Sequence, residues 1–205
     1  MATTKEEDWV LKEDLNKIGY LKFNYIVSGL ERSGTSLMMQ ILEEIAQIPV
    51  IYDNELRISD EHNKKGYYET FGGDIIGRLK TKDINMNDFK ESFIKITAYG
   101  LQYIPEGHDC KVIYMERNID EIIKSRKKMC DTEIENDILI KLNNESKHKM
   151  DINRNFLYIV VNYNDLMVNP IGELQKLKDF LDIEFSSDKI IQEVIDDSLY
   201  RCRGG

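Results

Sequence analysis

A glycine-containing loop between an apolar run and an amphipathic stretch is the feature that most restricts the fold of this chain. Residues 22–28 (KFNYIVS) favour a β-strand, and residues 36–48 (SLMMQILEEIAQI) have the spacing of a helix. Between them, residues 29–36 (GLERSGTS) contain a glycine, four other residues, a second glycine and then Thr35 and Ser36. Such a loop presents backbone N–H groups to an anion, and the helix N-terminus adds a partial positive charge. The segment therefore predicts a phosphate-binding loop.

Three more short apolar runs predict the other strands of a sheet. Nearly continuous apolar runs are typical of parallel strands buried on both faces, and they occur here at residues 93–97 (FIKIT), 111–115 (KVIYM) and 157–161 (LYIVV). Amphipathic stretches predict helices at residues 119–129, 132–150, 170–181 and 187–196. Strands that alternate with helices predict an α/β fold, a three-layer sandwich with a central, mainly parallel sheet of the P-loop nucleotide-binding type. Residues 53–73 show little periodicity, and we expect an irregular loop over the carboxyl edge of the sheet.

The composition narrows the possible partners. The 205 residues suit a single domain, residues 1–205, with a charged N-terminal arm at residues 1–20. A net charge of −9 argues against general nucleic-acid binding, because an acidic protein repels the phosphate backbone. The three cysteines lack the spacing of a metal site, and the polar N-terminus does not resemble a signal peptide. We therefore expect a cytoplasmic protein without membrane contacts.

The loop differs from that of ATP and GTP enzymes at one position. Thr35 occupies the place of the lysine that such enzymes direct at the β- and γ-phosphates. Arg32, two residues before Gly34, supplies a cation at a different point of the loop. A nucleotide kinase or triphosphatase, with Asp53 or Asp165 holding magnesium, is the alternative that the missing lysine disfavours.

Four segments resemble the sulfotransferase family, and in particular its small bacterial members. The run LERSGTSLMMQIL resembles the PRSGTSLL segment of the family, and residues 111–126 (KVIYMERNIDEIIKSR) resemble its second motif. Residues 63–69 (NKKGYYE) are similar to an NPxGYxE run, and residues 163–181 to a YEDL…P…FL helix. The resemblance covers nearly the whole chain in the same order.

The resemblance implies a donor, 3′-phosphoadenosine 5′-phosphosulfate (PAPS), and an in-line transfer of its sulfonate to a hydroxyl or amine of a small acceptor without a metal. In the family, the loop binds the 5′-phosphosulfate, while an arginine, a serine and a basic C-terminal tail hold the 3′-phosphate. The corresponding donor-binding residues here are Arg32, Ser33, Gly34, Thr35, Ser36, Arg117, Ser125, Arg201 and Arg203.

The resemblance also indicates which residues act on the transferring group. Lys95 matches a family lysine that supports the reacting centre, but Thr97 stands where many members have a catalytic histidine. Other members use a carboxylate as the general base, and Glu69 is the first candidate, with Glu55 and His62 as alternatives. We expect burial in the cleft to raise the pKa of Glu69 toward the working range of a base.

Glu31 is a second departure from the family, whose members have proline immediately before the loop arginine. A carboxylate beside a phosphosulfate is repulsive unless it points away or pairs with a lysine. Together with Thr97, this residue leaves open a third hypothesis, a non-catalytic member that binds PAPS or its product 3′-phosphoadenosine 5′-phosphate (PAP).

Overall fold

The sheet contains four parallel strands in the part of the chain that the structure describes. The structure is a computed structural model, and it describes residues 22–45, 47–53, 66–130 and 135–195. The strands are β1 (Asn24–Gly29), β2 (Phe93–Lys95), β3 (Cys110–Glu116) and β4 (Phe156–Asn162). Their order is β2-β1-β3-β4, and each neighbouring pair is parallel. The predicted parallel sheet is confirmed.

Seven α-helices are present within the same described ranges. They are α1 (Thr35–Ile45), α2 (Ile75–Thr81), α3 (Ile119–Cys130), α4 (Asn136–Ile152), α5 (Tyr163–Val168), α6 (Pro170–Leu181) and α7 (Ser187–Glu193). Short 3₁₀ helices occur at Phe71–Gly73, Met86–Phe89 and Ala98–Tyr103. Helix α6 has Pro170 at its first position, where the fixed φ of proline suits the helix and its missing N–H costs no hydrogen bond.

The helices form one layer on each face of the sheet. Val27 of β1 packs in a core with side chains of α1, α5, α6 and α7, whereas its neighbour Ile26 packs in a second core with α2, α3 and α4. Successive side chains of a strand point to opposite faces, so a strand buried on both faces is apolar at nearly every position. The predicted three-layer α/β sandwich is confirmed.

The elements differ from the prediction at several ends. The predicted strand at residues 93–97 ends at Lys95, because a 3₁₀ helix begins at Ala98. Helix α2 was not predicted; it spans seven residues and buries only Ile75 and Leu79, too few for a recognisable period. Helix α4 begins at Asn136, whereas its predicted start at residue 132 lies outside the described residues, and α7 ends at Glu193. Within the described residues, no helix is long and apolar enough to cross a membrane.

The order of the strands reverses beside β1. From β1 the chain goes to β2 on one side and then returns across β1 to β3 and β4 on the other side. The carboxyl ends of β1 and β3 are adjacent, and Gly29 pairs in register with Met115. In open α/β sheets, ligands bind in the crevice outside the carboxyl ends of the strands at such a point. The segments after β1 and β3 are therefore where a site is expected.

Candidate active site

The loop after β1 has the backbone geometry of an anion-binding loop. Gly29 has a φ of 143°, and a Cβ atom there would lie 2.4 Å from the carbonyl oxygen of Met115. Arg32 has a φ of 70° and Gly34 a φ of 104°, and the N–H of Ser33 donates to the carbonyl of Leu30 at 3.1 Å. Positive φ values next to ordinary ones make successive N–H groups converge on one side. The predicted order of strand, loop and helix is present, and the backbone of the loop suits an anion.

Two groups of hydrogen-bond donors are available here, one at the start of α1 and one in the loop itself. The first N–H groups of α1, which begins at Thr35, have no acceptor within the helix. The hydroxyl of Ser33 is buried and has no hydrogen-bond partner among the described residues. Leaving a buried donor without a partner costs about 1–3 kcal/mol. These donors fit a phosphate or sulfonate oxygen.

Arg32 and Ser125 contact each other across the crevice. The Nε–H of Arg32 donates to Oγ of Ser125 at 3.0 Å, although the two residues are 93 positions apart. The Nη1 of Arg117 donates to the carbonyl oxygen of Arg32 at 3.2 Å. The structure thus brings together the three residues that the two sequence motifs singled out.

The guanidinium of Arg117 is fixed by two further neighbours that the sequence analysis missed. Its Nε donates to Oε2 of Glu121 at 2.9 Å, with both side chains almost fully buried. Its planar group also lies 4.3 Å from the centre of the Tyr163 ring. Arg117 precedes α3, which begins at Ile119, whereas Glu121 lies in the first turn of that helix, so helical periodicity did not predict their contact. Tyr163 comes from a distant segment and gave no signal either.

Glu31 forms an ion pair with Arg126 of α3. The expected repulsion between Glu31 and a bound donor is therefore reduced, because the carboxylate has a cationic partner. The expected partner of Glu31 was a lysine, and the structure shows an arginine instead, immediately after Ser125. Arg126 was not among the predicted site residues.

Lys95 projects from the end of β2 and is held by the segment that contains the predicted base. Its ammonium group pairs with the carboxylate of Glu69 and donates to the carbonyl oxygen of Tyr67. The hydroxyl of Ser36 donates to the same carbonyl at 3.2 Å. Burial lowers the pKa of Lys95 below its usual value, and the nearby carboxylate of Glu69 opposes this effect.

The segment around Glu69 is anchored by its buried neighbour Tyr68. Tyr68 has a φ of 57°, and its hydroxyl donates to Oε2 of Glu43 on α1 at 2.5 Å. Tyr52 donates to the other carboxylate oxygen of Glu43, also at 2.5 Å. A bulky residue with positive φ is strained by about 1 kcal/mol or more, so the surrounding contacts must hold it there. This anchoring positions the carbonyl of Tyr67 and the carboxylate of Glu69.

The other predicted catalytic residues have mixed outcomes. Glu69 lies beside Lys95, but 34% of its side chain is exposed, so the burial that we expected for it is only partial. Thr97 precedes the 3₁₀ helix at Ala98–Tyr103 and its side chain makes no capping hydrogen bond. The alternative bases and the tail arginines, Glu55, His62, Arg201 and Arg203, lie outside the described residues.

The two aspartates of the kinase alternative are placed differently. The carboxylate of Asp53 accepts the N–H of Gly72 at 2.6 Å, and Asp165 is exposed in the first turn of α5. Among the described residues, no three His, Cys, Asp or Glu side chains form a group that could hold a metal ion.

Comparisons with known proteins found similar solved structures but no related sequence. No family model matches the chain, and no curated protein matches it. The sulfotransferase domain from the curacin biosynthetic pathway is 14% identical over 89% of this chain and 92% of that domain, with a TM-score of 0.50. A mouse sulfotransferase, SULT7A1, in complex with PAP is 16% identical over 83% of this chain and 62% of the mouse chain, also at 0.50. A sugar kinase from Janibacter is 11% identical over 87% of this chain and 98% of that chain, at 0.45.

The similarity to the curacin and mouse proteins is one of fold. The chain has a sulfotransferase-like fold, in which a glycine-containing loop follows a central strand of a parallel sheet. The fold that the sequence resemblance predicted is confirmed.

Proposed function

We propose that this protein transfers a sulfonate group from PAPS to a hydroxyl or amine of a small acceptor, without a metal. The observation that carries the proposal is the contact of Arg32, Ser125 and Arg117 beside the loop, at the carboxyl ends of β1 and β3. A kinase loop needs a lysine where this chain has Thr35, whereas a sulfonate donor needs cations at both of its phosphate groups.

We assign the 5′-phosphosulfate of the donor to the loop after β1, and its 3′-phosphate to the motif at residues 111–126. The loop N–H groups, Arg32 and the hydroxyl of Ser33, which has no partner among the described residues, hold the 5′-phosphosulfate. Arg117 and Ser125 hold the 3′-phosphate, which a guanidinium binds through charge-assisted hydrogen bonds. Glu121 and the ring of Tyr163 keep the guanidinium of Arg117 in place. Its position is thereby set before the donor binds, so little entropy is lost on binding.

The chemical step is a single displacement at sulfur. A bond forms from the acceptor oxygen or nitrogen to sulfur while the bond from sulfur to the bridging oxygen of the 5′-phosphate breaks. The bridging oxygen leaves with PAP, and Arg32 with the loop N–H groups stabilises the charge that develops on it. The acceptor proton passes to the carboxylate of Glu69.

Lys95 and Glu69 act as a pair in this proposal. The ammonium group of Lys95 offers positive charge to the sulfonate oxygens, and its contacts with Tyr67 and Glu69 fix its position. Fixed charges that match the transition state lower its free energy without rearrangement during the reaction. Glu69 is partly exposed, so it is open to an acceptor from the solvent side.

A second candidate function is nucleotide binding without turnover. The observation that favours it is the ion pair itself, because a carboxylate held by Lys95 has less freedom to accept a proton. Thr97 also favours this candidate, because many sulfotransferases have a catalytic histidine at that position.

Calorimetry with PAP tests the proposal. We expect micromolar or tighter binding by the folded protein, and a loss of about tenfold or more for Arg117→Ala because a charge-assisted contact is removed. Lys124→Gln is the matched control, since Lys124 is exposed on the same helix as Ser125. The absence of PAP binding by folded protein would overturn the proposal.

Two further measurements separate the alternatives. Release of PAP from PAPS in the presence of a panel of alcohols, phenols and amines is expected for an enzyme. PAP binding with no turnover on the panel supports the second candidate. Binding of ATP that requires magnesium and exceeds the binding of PAP supports the kinase alternative.

A further inference from the structure

Two consecutive residues of the loop contact two consecutive residues of α3. Arg32 donates to Ser125, and Glu31 pairs with Arg126. The second contact therefore lies beside the one that the proposed function assigns to the donor. It involves a carboxylate and a guanidinium for which the proposed mechanism has no role so far.

The two partners of the ion pair differ in burial. Arg126 has only 16% of its side chain exposed, whereas Glu31 has 59%. The Nε–H of Arg126 is buried and has no partner among the described residues. One end of this guanidinium is therefore satisfied by Glu31, and another donor on the same group is left without an acceptor.

This difference in exposure determines which of the two residues can leave the ion pair. An exposed carboxylate returns to water at little cost, and an ion pair with an exposed member contributes little to stability. The side chain of Arg126 stays confined by its burial, and Arg126 directly follows Ser125 in α3. A phosphate dianion has more charge and more acceptor oxygens than a carboxylate, and a guanidinium binds it with two parallel hydrogen bonds.

We propose, on the basis of the proposed function, that Arg126 is a third arginine of the donor site and binds the 3′-phosphate together with Arg117 and Ser125. Glu31 is an internal carboxylate that holds Arg126 until the 3′-phosphate displaces it. The pair makes the site selective for nucleotides with a 3′-phosphate, because a ligand without that group leaves Arg126 with Glu31.

A purely structural role of the ion pair makes the opposite predictions. If Glu31 and Arg126 only held the loop against α3, then removal of either residue would loosen the loop. Binding of every ligand that uses the loop would then weaken to a similar extent. Under the proposed competition, removal of Arg126 weakens binding and removal of Glu31 strengthens it. Both effects are confined to ligands with a 3′-phosphate.

The experiment measures the affinities of PAP and adenosine 5′-phosphate for the wild-type chain and three variants. The two nucleotides differ only in the 3′-phosphate. For Arg126→Gln we expect a loss of about tenfold or more in PAP affinity and little change for adenosine 5′-phosphate. For Glu31→Gln we expect a gain of several-fold in PAP affinity, again with little change for the other nucleotide. Lys124→Gln on the same helix is the control and should leave both affinities unchanged.

Several outcomes overturn the inference without touching the proposed function. Unchanged PAP affinity in Arg126→Gln would do so, as would equal losses for both nucleotides or a loss of PAP affinity in Glu31→Gln. If Arg126→Gln fails to fold by circular dichroism, the Glu31→Gln result decides alone. Failure of the wild-type chain to bind PAP would instead overturn the proposed function, and this inference with it.

Discussion

Gly34 lies directly against the ring of Tyr163, so that a Cβ atom on this glycine would be 2.4 Å from Cδ2 of the ring. The same ring lies 4.3 Å from the guanidinium of Arg117. One aromatic side chain thus supports both the loop after β1 and the arginine after β3. The close approach requires a residue without a side chain.

The first prediction follows from this contact. Gly34→Ala is expected to lower the free energy of unfolding by about 3 kcal/mol, from the clash with Tyr163 and the positive φ combined. Gly107→Ala is the control, because Gly107 has a φ of 83° but no atom within 4 Å of the added Cβ. That variant should lose only about 1 kcal/mol from backbone strain. Urea denaturation measures both, and equal losses would contradict a role for the ring.

The buried ion pair of Arg117 gives a second prediction. Glu121→Ala removes the carboxylate from an almost fully buried guanidinium, and breaking such a pair costs about 3 kcal/mol. Lys141 and Glu145 have the same i, i+4 spacing on α4, but both are largely exposed. Glu145→Ala should therefore leave the unfolding midpoint unchanged. Similar effects for the two variants would show that burial of the Arg117 pair does not matter.

The lowered pKa of Lys95 predicts how donor binding depends on pH. The ammonium charge is lost at a pH below 10.5, the ordinary value for lysine, because burial disfavours the charged form. We expect PAPS affinity to fall as the pH rises from 7 toward 10.5, because Lys95 faces the sulfonate in the proposed site. Lys95→Arg keeps its charge in this range and should show a smaller fall. Parallel pH profiles for the two proteins would remove Lys95 from the donor site.

The same shift has a consequence for stability. In the window between the lowered pKa of the folded state and 10.5, the unfolded chain binds more protons at this lysine than the folded chain does. The contribution of Lys95 to the free energy of unfolding therefore increases with pH across that window. Lys95→Met removes this contribution, and denaturation at several pH values measures the difference in slope. If the free energy of unfolding changed with pH equally in both proteins, the lowered pKa of Lys95 would be contradicted.

Glu69→Gln separates chemistry from binding. Glutamine cannot accept the acceptor's proton, so PAP release is expected to fall by about a hundredfold or more while the folded protein still binds PAP. Because the carboxylate raises the pKa of Lys95, its removal should also move the alkaline loss of PAPS affinity to lower pH. Turnover close to that of the wild type would exclude Glu69 as the base.

A final prediction concerns stability away from the site. Gly172 is exposed near the start of α6, and nothing lies within 4 Å of an added Cβ. Gly172→Ala is therefore expected to raise the free energy of unfolding by about 0.5–1 kcal/mol, because alanine loses less backbone entropy in a helix. PAP affinity should stay the same, and a decrease in stability would contradict the local geometry.

The sequence predicted the local elements well because their signals are local. The strand, loop and helix around Gly34 follow from periodicity and glycine positions, and α6 has the predicted bounds. Short elements such as α2 bury too few residues to leave a pattern. Strand order depends on contacts between distant segments, which periodicity does not encode.

The candidate site also contains residues that the sequence predicted and residues that it did not. Arg32, Arg117 and Ser125 came from motifs, and the structure brings them together. The neighbours that hold these residues were missed, because Tyr163 and Arg126 act through contacts between distant parts of the chain. The partial exposure of Glu69 could not be predicted either, since burial depends on how its segment packs against α1 and β2.

The bond between Arg32 and Ser125 joins residues 93 positions apart, on opposite sides of β2 in the sequence. A chain that has formed only its local helices and turns does not bring these two side chains together. Under the proposed function, PAP binds the completed sheet and not a partly folded chain, so it raises the melting temperature with its concentration. A thermal-shift titration would then report whether the molecules in a preparation are correctly assembled, before any acceptor is known.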